Sequence, residues 1–163
     1  MKNSIAKSIC LIFLIFSYSF VKESKAVERN GGPVKVSFTK LAGFTLKPEA
    51  EPKTGYFTQL FARKNQFDQH FNGSPGKNSS QINFDKFVVI ACATQKSKLE
   101  TNISLEKILK NYGVLEVYFV KTVGKKPETK KSIPQAMYTI ALDNSYSSVK
   151  YFVDGKLVWD LQN

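Results

Sequence analysis

The run FVVIACA, Phe87 to Ala93, is apolar at every position, and this restricts the fold more than any other stretch of the chain. In a strand, Phe87, Val89 and Ala91 point one way and Val88, Ile90 and Cys92 the other. Both faces then need cover, so the strand belongs in the interior of a sheet. Cys92 is also the only cysteine after Cys10, so no intramolecular disulfide is expected in the exported chain described next, and packing must supply the stability.

The N-terminus reads as an address. MKNSIAK is a short basic region, SICLIFLIFSYSF an apolar core, and VKESKA ends in small residues at Ser24 and Ala26. This pattern predicts cleavage after Ala26 and export to the periplasm or the exterior. The apolar core from Ile9 to Phe20 falls short of the roughly 18 residues a spanning helix needs, so the chain is not expected to span a membrane. Cys10 sits near the beginning of the apolar run, before Leu11 to Phe20, instead of ending it, which argues against lipidation. Removing residues 1–26, with four lysines and one glutamate, takes the formal charge from +11 to +8. Residues 27–33 read as a mobile tether, and 34–163 as one sheet-rich domain.

VKVSFTK alternates and predicts a half-buried strand, which LKPEAEPKTG breaks before YFTQLFA resumes an extended course. In RKNQFDQHFNG, Phe67 and Phe71 lie four apart. Asn65 is placed to cap and Asn72-Gly73 to stop a short helix. SPGKNSSQ and QKSKLETN read as loops, ISLEKILK and VLEVYFVKTV as two extended segments joined at NYG, and GKKPETKKS as a basic loop. IPQAMYTIALD is a further strand, and VKYFVDGKLVWD a hairpin about Asp154-Gly155, with Phe152 opposite Leu157 and Trp159 diagonal to it. The expected fold is α+β, a mainly antiparallel sheet of about six to eight strands with one short helix.

The succession NQFDQHFNGSP, INFDKFVVIACA, LEVYFVKTV and IPQAMYTIALD resembles the C-terminal domain of the protease complex subunit PrcB and small secreted bacterial proteins related to it. The likeness covers roughly Tyr56 to Asp143 and lies in the pattern of apolar positions. Where that family has a Gly-rich segment after the central strand, this chain reads TQKSKLETN. The resemblance implies a sheet-rich fold and association with other envelope proteins, proteases included.

Candidate chemistry is sparse. A catalytic thiolate at Cys92 would need a cationic neighbour and a base, yet its sequence neighbours are apolar, and burial as a small hydrophobe is favoured. His70, the sole histidine, could pair with Cys92 across one loop; a surface helix histidine is the simpler reading. No ligand spacing suggests a metal and no motif suggests a cofactor. Glu106 and Glu116 read as solvent-facing charges rather than a glycosidase pair. Lys121, Lys125, Lys126, Lys130 and Lys131 are opposed only by Glu128 and should gather at one end of the sheet, where they would attract anionic partners or simply aid solubility. Arg29 and Arg63 are the only arginines, against bidentate phosphate recognition. Tyr112, Tyr118, Tyr138, Tyr146, Tyr151 and Trp159 are expected in the core and in cross-strand pairs rather than on a stacking platform, and nucleic acid is not an expected ligand.

The functional expectation is an exported, non-enzymatic binding or accessory module of the envelope. It would engage a protein, a protease among the candidates, through a strand edge or loop end. The alternative is a cationic protein holding anionic glycan or lipid head groups through the lysines from Lys121 to Lys131.

Overall fold

The computed structural model describes residues 32–129, 133–143 and 146–162, with side chains through Trp159. Residues 1–31, on which the expected export signal, its Ala26 site and most of the expected tether fall, and Lys130 and Lys131 lie outside the described residues. In chain order the elements are β1 (Val34–Lys35), β2 (Phe38–Lys40), β3 (Phe44–Leu46), β4 (Tyr56–Phe61), α1 (Lys64–His70), β5 (Phe71–Gly73), β6 (Phe87–Thr94), β7 (Leu99–Asn111), β8 (Val114–Pro127), β9 (Gln135–Ala141), β10 (Ser148–Val153) and β11 (Lys156–Gln162). The fold is α+β and mainly antiparallel, with a single short α-helix among the described residues. There are more strands than the periodicity suggested, because several are only two or three residues long.

The strands form a sheet ordered β1-β7-β8-β10-β11, a second ordered β2-β9-β6-β4, and a two-stranded ribbon of β3 and β5. Val88, Ile90 and Cys92 of the second sheet share one core cluster with Ile103, Leu105, Val117, Phe119 and Tyr151 of the first, so the two sheets pack face to face. Val89, Ala91 and Ala93 point the other way, into a second cluster with Phe44, Phe67 and Phe71 of the ribbon and helix. Val88 to Ala93 thus have both faces covered, and the strand lies between β9 and β4, whereas Phe87 at its start is exposed. Its alternation meets a different layer on each side.

Two turns behave as their residues require. Tyr112-Gly113 and Asp154-Gly155 each place both central residues at positive φ (46 and 81; 51 and 74). This is the hairpin geometry that matches strand twist, and glycine adopts it without steric cost. The second turn sets Phe152 opposite Leu157 as expected. An extra residue, Val158, then brings Trp159 level with Tyr151.

Several sequence expectations are corrected. VKVSFTK is not one strand: β1 pairs with β7 in one sheet and β2 with β9 in the other, and both are exposed. Its alternation reflects a crossover between two sheet edges. The helix is capped by Arg63 with no side-chain bond, while the Asn65 side chain accepts from the neighbouring Gln66 N–H. It ends at His70, before Asn72-Gly73, because Phe71 turns extended to pair with Leu46. The loops QKSKLETN and GKKPETKKS are shorter than expected, since β7 begins at Leu99 and β8 runs to Pro127, the two strands pairing with each other there. One pair, β8 with β10, is parallel, because β9 between them in sequence belongs to the other sheet.

The two sheets are also joined by a polar bond. A register shift between Leu105 and Lys107 interrupts the ladder, and the buried Leu105 N–H donates instead to the Tyr138 hydroxyl of the facing sheet, at 3.1 Å. Tyr138→Phe would strand that amide in the core, at an expected cost of about 1–3 kcal/mol. Native-state hydrogen exchange checks this, since the Leu105 amide should become one of the faster-exchanging groups of β7.

Candidate functional site

The lysine segment is part strand rather than a loop. Lys121 sits in β8, where its N–H donates to Asp154 Oδ1 at 2.9 Å and its Nζ lies 5.8 Å from the Tyr56 ring centroid. It is thereby turned toward β4. Lys125 and Lys126 are exposed on the last stretch of β8, and Lys130 and Lys131 lie outside the described residues. Glu100 packs against Gly124 and Glu128 follows β8. Carboxylates therefore accompany these lysines.

Cys92 and His70 are not brought together. Cys92 faces the core between the sheets, whereas α1, which carries His70, packs on the opposite face of β6. The histidine ring lies 5.7 Å from Phe57 and 5.4 Å from Phe61, with Nδ1 2.9 Å from the Gln66 carbonyl. Burial alone pushes the Cys92 thiol up to about 12 from its ordinary 9.0, so it is neutral and shielded at physiological pH. A raised value means that the folded state holds this proton more tightly than the unfolded chain. The associated stability is full below pH 9 and is lost as pH rises toward 12. The Tyr151 hydroxyl, fully buried, is displaced upward in the same way by burial. Two results are expected: Cys92 is labelled by a thiol reagent at neutral pH only at the rate of global unfolding, and urea midpoints decline steadily above pH 9.

The outer face of the five-stranded sheet carries a row of side chains. Tyr118 and Phe152 stack with centroids 4.6 Å apart and 9° between planes, and Lys107 Nζ sits 4.8 Å from the Tyr118 centroid. The Tyr118 hydroxyl donates to Glu116 Oε2 at 2.8 Å. That bond, then burial, then the charges of Glu116 and Glu106 raise its pKa. Glu116 is thus engaged by a tyrosine and Glu106 by Lys107 at 3.6 Å, as expected of surface charges. With one ring stacked on the other, Tyr118 and Phe152 form a cross-strand pair and not a flat platform. Tyr138 and Tyr151 are buried, and Tyr112 is exposed at its turn.

A cavity of about 290 Å³ opens beside Phe44, Thr45, Thr101, Asn102 and Gln135. Much of its polar lining is spent internally. Gln135 accepts from Leu46 N–H at 2.8 Å and donates to the Phe44 carbonyl at 2.5 Å, completing the open edge of β3, while Thr101 donates to the Leu99 carbonyl. Among the described residues no group of three or more His, Cys, Asp or Glu side chains is placed to hold a metal ion. No helix there is long and apolar enough to cross a membrane.

What the sequence did not expose is the state of the sheet edges. Exposed edges invite pairing with another chain, and proteins blunt them with short strands, charges, prolines or bulges. β1, β2, β3 and β5 have two or three residues each. Beyond its contact with β1, β7 carries Glu100, Glu106 and Lys107 and two register irregularities. β11 begins with Lys156 and is bulged at Val158. β4, YFTQLF, has none of these devices: six residues, no charge, no proline, and an unbroken register with β6.

The phase of the hydrogen bonding identifies the free groups. Thr94 N–H donates to the Pro134 carbonyl and Lys86 C=O accepts from Leu142 N–H, so the even-numbered residues of β6 turn their backbone toward β9 and the odd-numbered toward β4. Since Phe57, Gln59 and Phe61 pair with Ala93, Ala91 and Val89, the N–H and C=O of Tyr56, Thr58 and Leu60 point to the open side. No backbone bond among the described residues, outside the ladder, engages them. Tyr56 and Leu60 are half-buried against the inter-sheet core, as is Val158 of β11. A sequence signal existed, an uncharged hexapeptide between Lys53 and Arg63, but its position at an edge did not.

Comparison of the chain with protein-family models, with curated proteins and with solved structures returns no match.

Proposed function

We propose that this chain is an exported, non-enzymatic binding module of a bacterial envelope that engages an envelope protein, proteases included, by strand addition at β4. The observation that carries the reading is the unprotected edge of β4, with three residues presenting N–H and C=O groups outward. An extended segment laid there would gain main-chain hydrogen bonds without needing any catalytic residue. The engagement of Glu116 and the burial of Cys92 are consistent with that role. The resemblance of the sequence pattern to the C-terminal domain of PrcB points in the same direction, association with a protease system.

A second reading rests on Lys125 and Lys126, which are exposed at the end of β8 and would hold anionic glycan or lipid head groups, together with Lys121, Lys130 and Lys131. The two separate by salt, since main-chain and apolar contacts are poorly screened while exposed charges are strongly screened.

The test is a cross-linking pull-down from a detergent-solubilised envelope extract with the tagged full chain, at low and high salt. Two variants stand beside it, Thr58→Pro, which removes one outward N–H of β4, and a Lys125→Gln/Lys126→Gln double. A discrete protein retained at high salt by the native chain and the lysine double, and lost with Thr58→Pro, supports strand addition. Capture unaffected by Thr58→Pro sinks it. Salt-labile capture of anionic polymer, lost only in the lysine double, transfers the function to the end of β8.

A further inference from the structure

Resting on the strand-addition reading, we infer that the β4 edge selects an extended peptide with an uncharged centre, apolar at alternate positions, and acidic residues at its flanks. The centre follows from what an added strand would meet. Its residues on the inter-sheet side would lie beside Tyr56, Thr58 and Leu60, with half-buried Val158 against the same core. Apolar side chains there would complete the cover of a core that is already buried. On the other side stand Phe57, which packs against the helix-side core, and Gln59. β-branched or hydroxyl side chains suit that face.

The flanks follow from charge. Exposed Lys53 precedes β4, exposed Arg63 follows it, and Lys121 reaches over the Tyr56 ring. No carboxylate pairs with any of the three among the described residues. Of the nearby acids, Glu51 is paired with Lys96 and Asp68 with Lys64, while Asp154, which accepts the Lys121 backbone N–H, keeps its negative charge near Tyr56. The strand between them has no charge, so Lys53 and Lys121 outnumber Asp154 at the Tyr56 end of β4, Arg63 stands unpaired past its other end, and the middle carries no charge. The formal charge, +11 for the full sequence and +8 without residues 1–26, steers acidic segments toward the chain and opposes approach of a second copy. A self-paired edge is therefore disfavoured relative to an acid-flanked partner.

The test uses the full chain in mild detergent and two fluorescein-labelled peptides that share the centre Val-Thr-Val-Thr-Val, one with two Glu at each end and one with two Lys. Anisotropy titrations at low salt should show the Glu-flanked peptide binding about tenfold more tightly, the size of two or three exposed charge pairs acting together. At high salt the gap should close. A Lys53→Gln/Arg63→Gln variant should lose most of the advantage of the Glu-flanked peptide while still binding both through the edge, and Thr58→Pro should bind neither. Equal affinity of the native chain for the two peptides at low salt overturns the acidic preference and leaves the edge reading standing. Binding that Thr58→Pro does not reduce, or no binding of either peptide, overturns the edge reading itself. Concentration-dependent self-association in sedimentation, abolished by Thr58→Pro, would assign the edge to a second copy and overturn the inference.

Discussion

Phe67→Ala should lower the unfolding free energy by about 3–5 kcal/mol, the range for emptying a fully packed aromatic site. Phe67 is wholly buried. Its ring lies 5.1 Å from Phe44, 5.6 Å from Phe61, 4.9 Å from Phe71 and 6.1 Å from Phe84, so it links the helix to the ribbon, to β4 and to the segment before β6, with His70 adding a second ring contact to β4. No other helix residue is buried, and a seven-residue helix without a side-chain cap has little stability of its own. The expected signature in urea is a lower midpoint with an unchanged slope. A loss below about 1 kcal/mol would mean that the layer covering this face of β6 is held by something other than the aromatic cluster.

Thr58→Pro and Gln59→Pro, adjacent substitutions of one kind, should differ sharply. Gln59 shares the ladder with Ala91 of β6, so proline there removes a sheet hydrogen bond and should cost about 3 kcal/mol. Thr58 turns its N–H to the open side, where an edge strand tolerates proline, and the cost should stay within about 1 kcal/mol. Paired urea melts decide the matter. Equal losses would show that the backbone phase assigned to β4 is wrong, and with it the identity of the groups available to a partner. The expected asymmetry makes Thr58→Pro a usable probe of binding, because the variant folds.

Most of the local structure was legible. The two-sided apolar run announced an interior strand, and β6 is one, because alternation reports directly which faces are buried. The pair Asp154-Gly155 and the NYG step announced hairpins, because only a few residues accept positive φ. The spacing of Phe67 and Phe71 announced a helix, although Phe71 itself is the first residue of β5, since one Phe can serve a helical and an extended neighbour in the same cluster. Cys92 was readable as core from its neighbours, and its place in the cluster between the sheets agrees.

The partners of the strands were not legible. Alternation in VKVSFTK is the same whether the segment forms one strand or joins two sheets. The lysines of GKKP looked like a loop because strand propensity there is weak; Lys125 and Lys126 lie in β8 at a register irregularity, between the pairs Thr101–Val123 and Leu99–Pro127 that tie the strand to the start of β7 on either side of them. The parallel β8–β10 contact depends on β9 leaving for the other sheet. The side-chain pattern by itself determined which faces are buried, where the chain turns, and that one strand must be interior. Tertiary structure alone decided which strands neighbour one another and which edge stays open, because the hydrogen-bonding sides of a strand are backbone and leave no mark on the side-chain sequence.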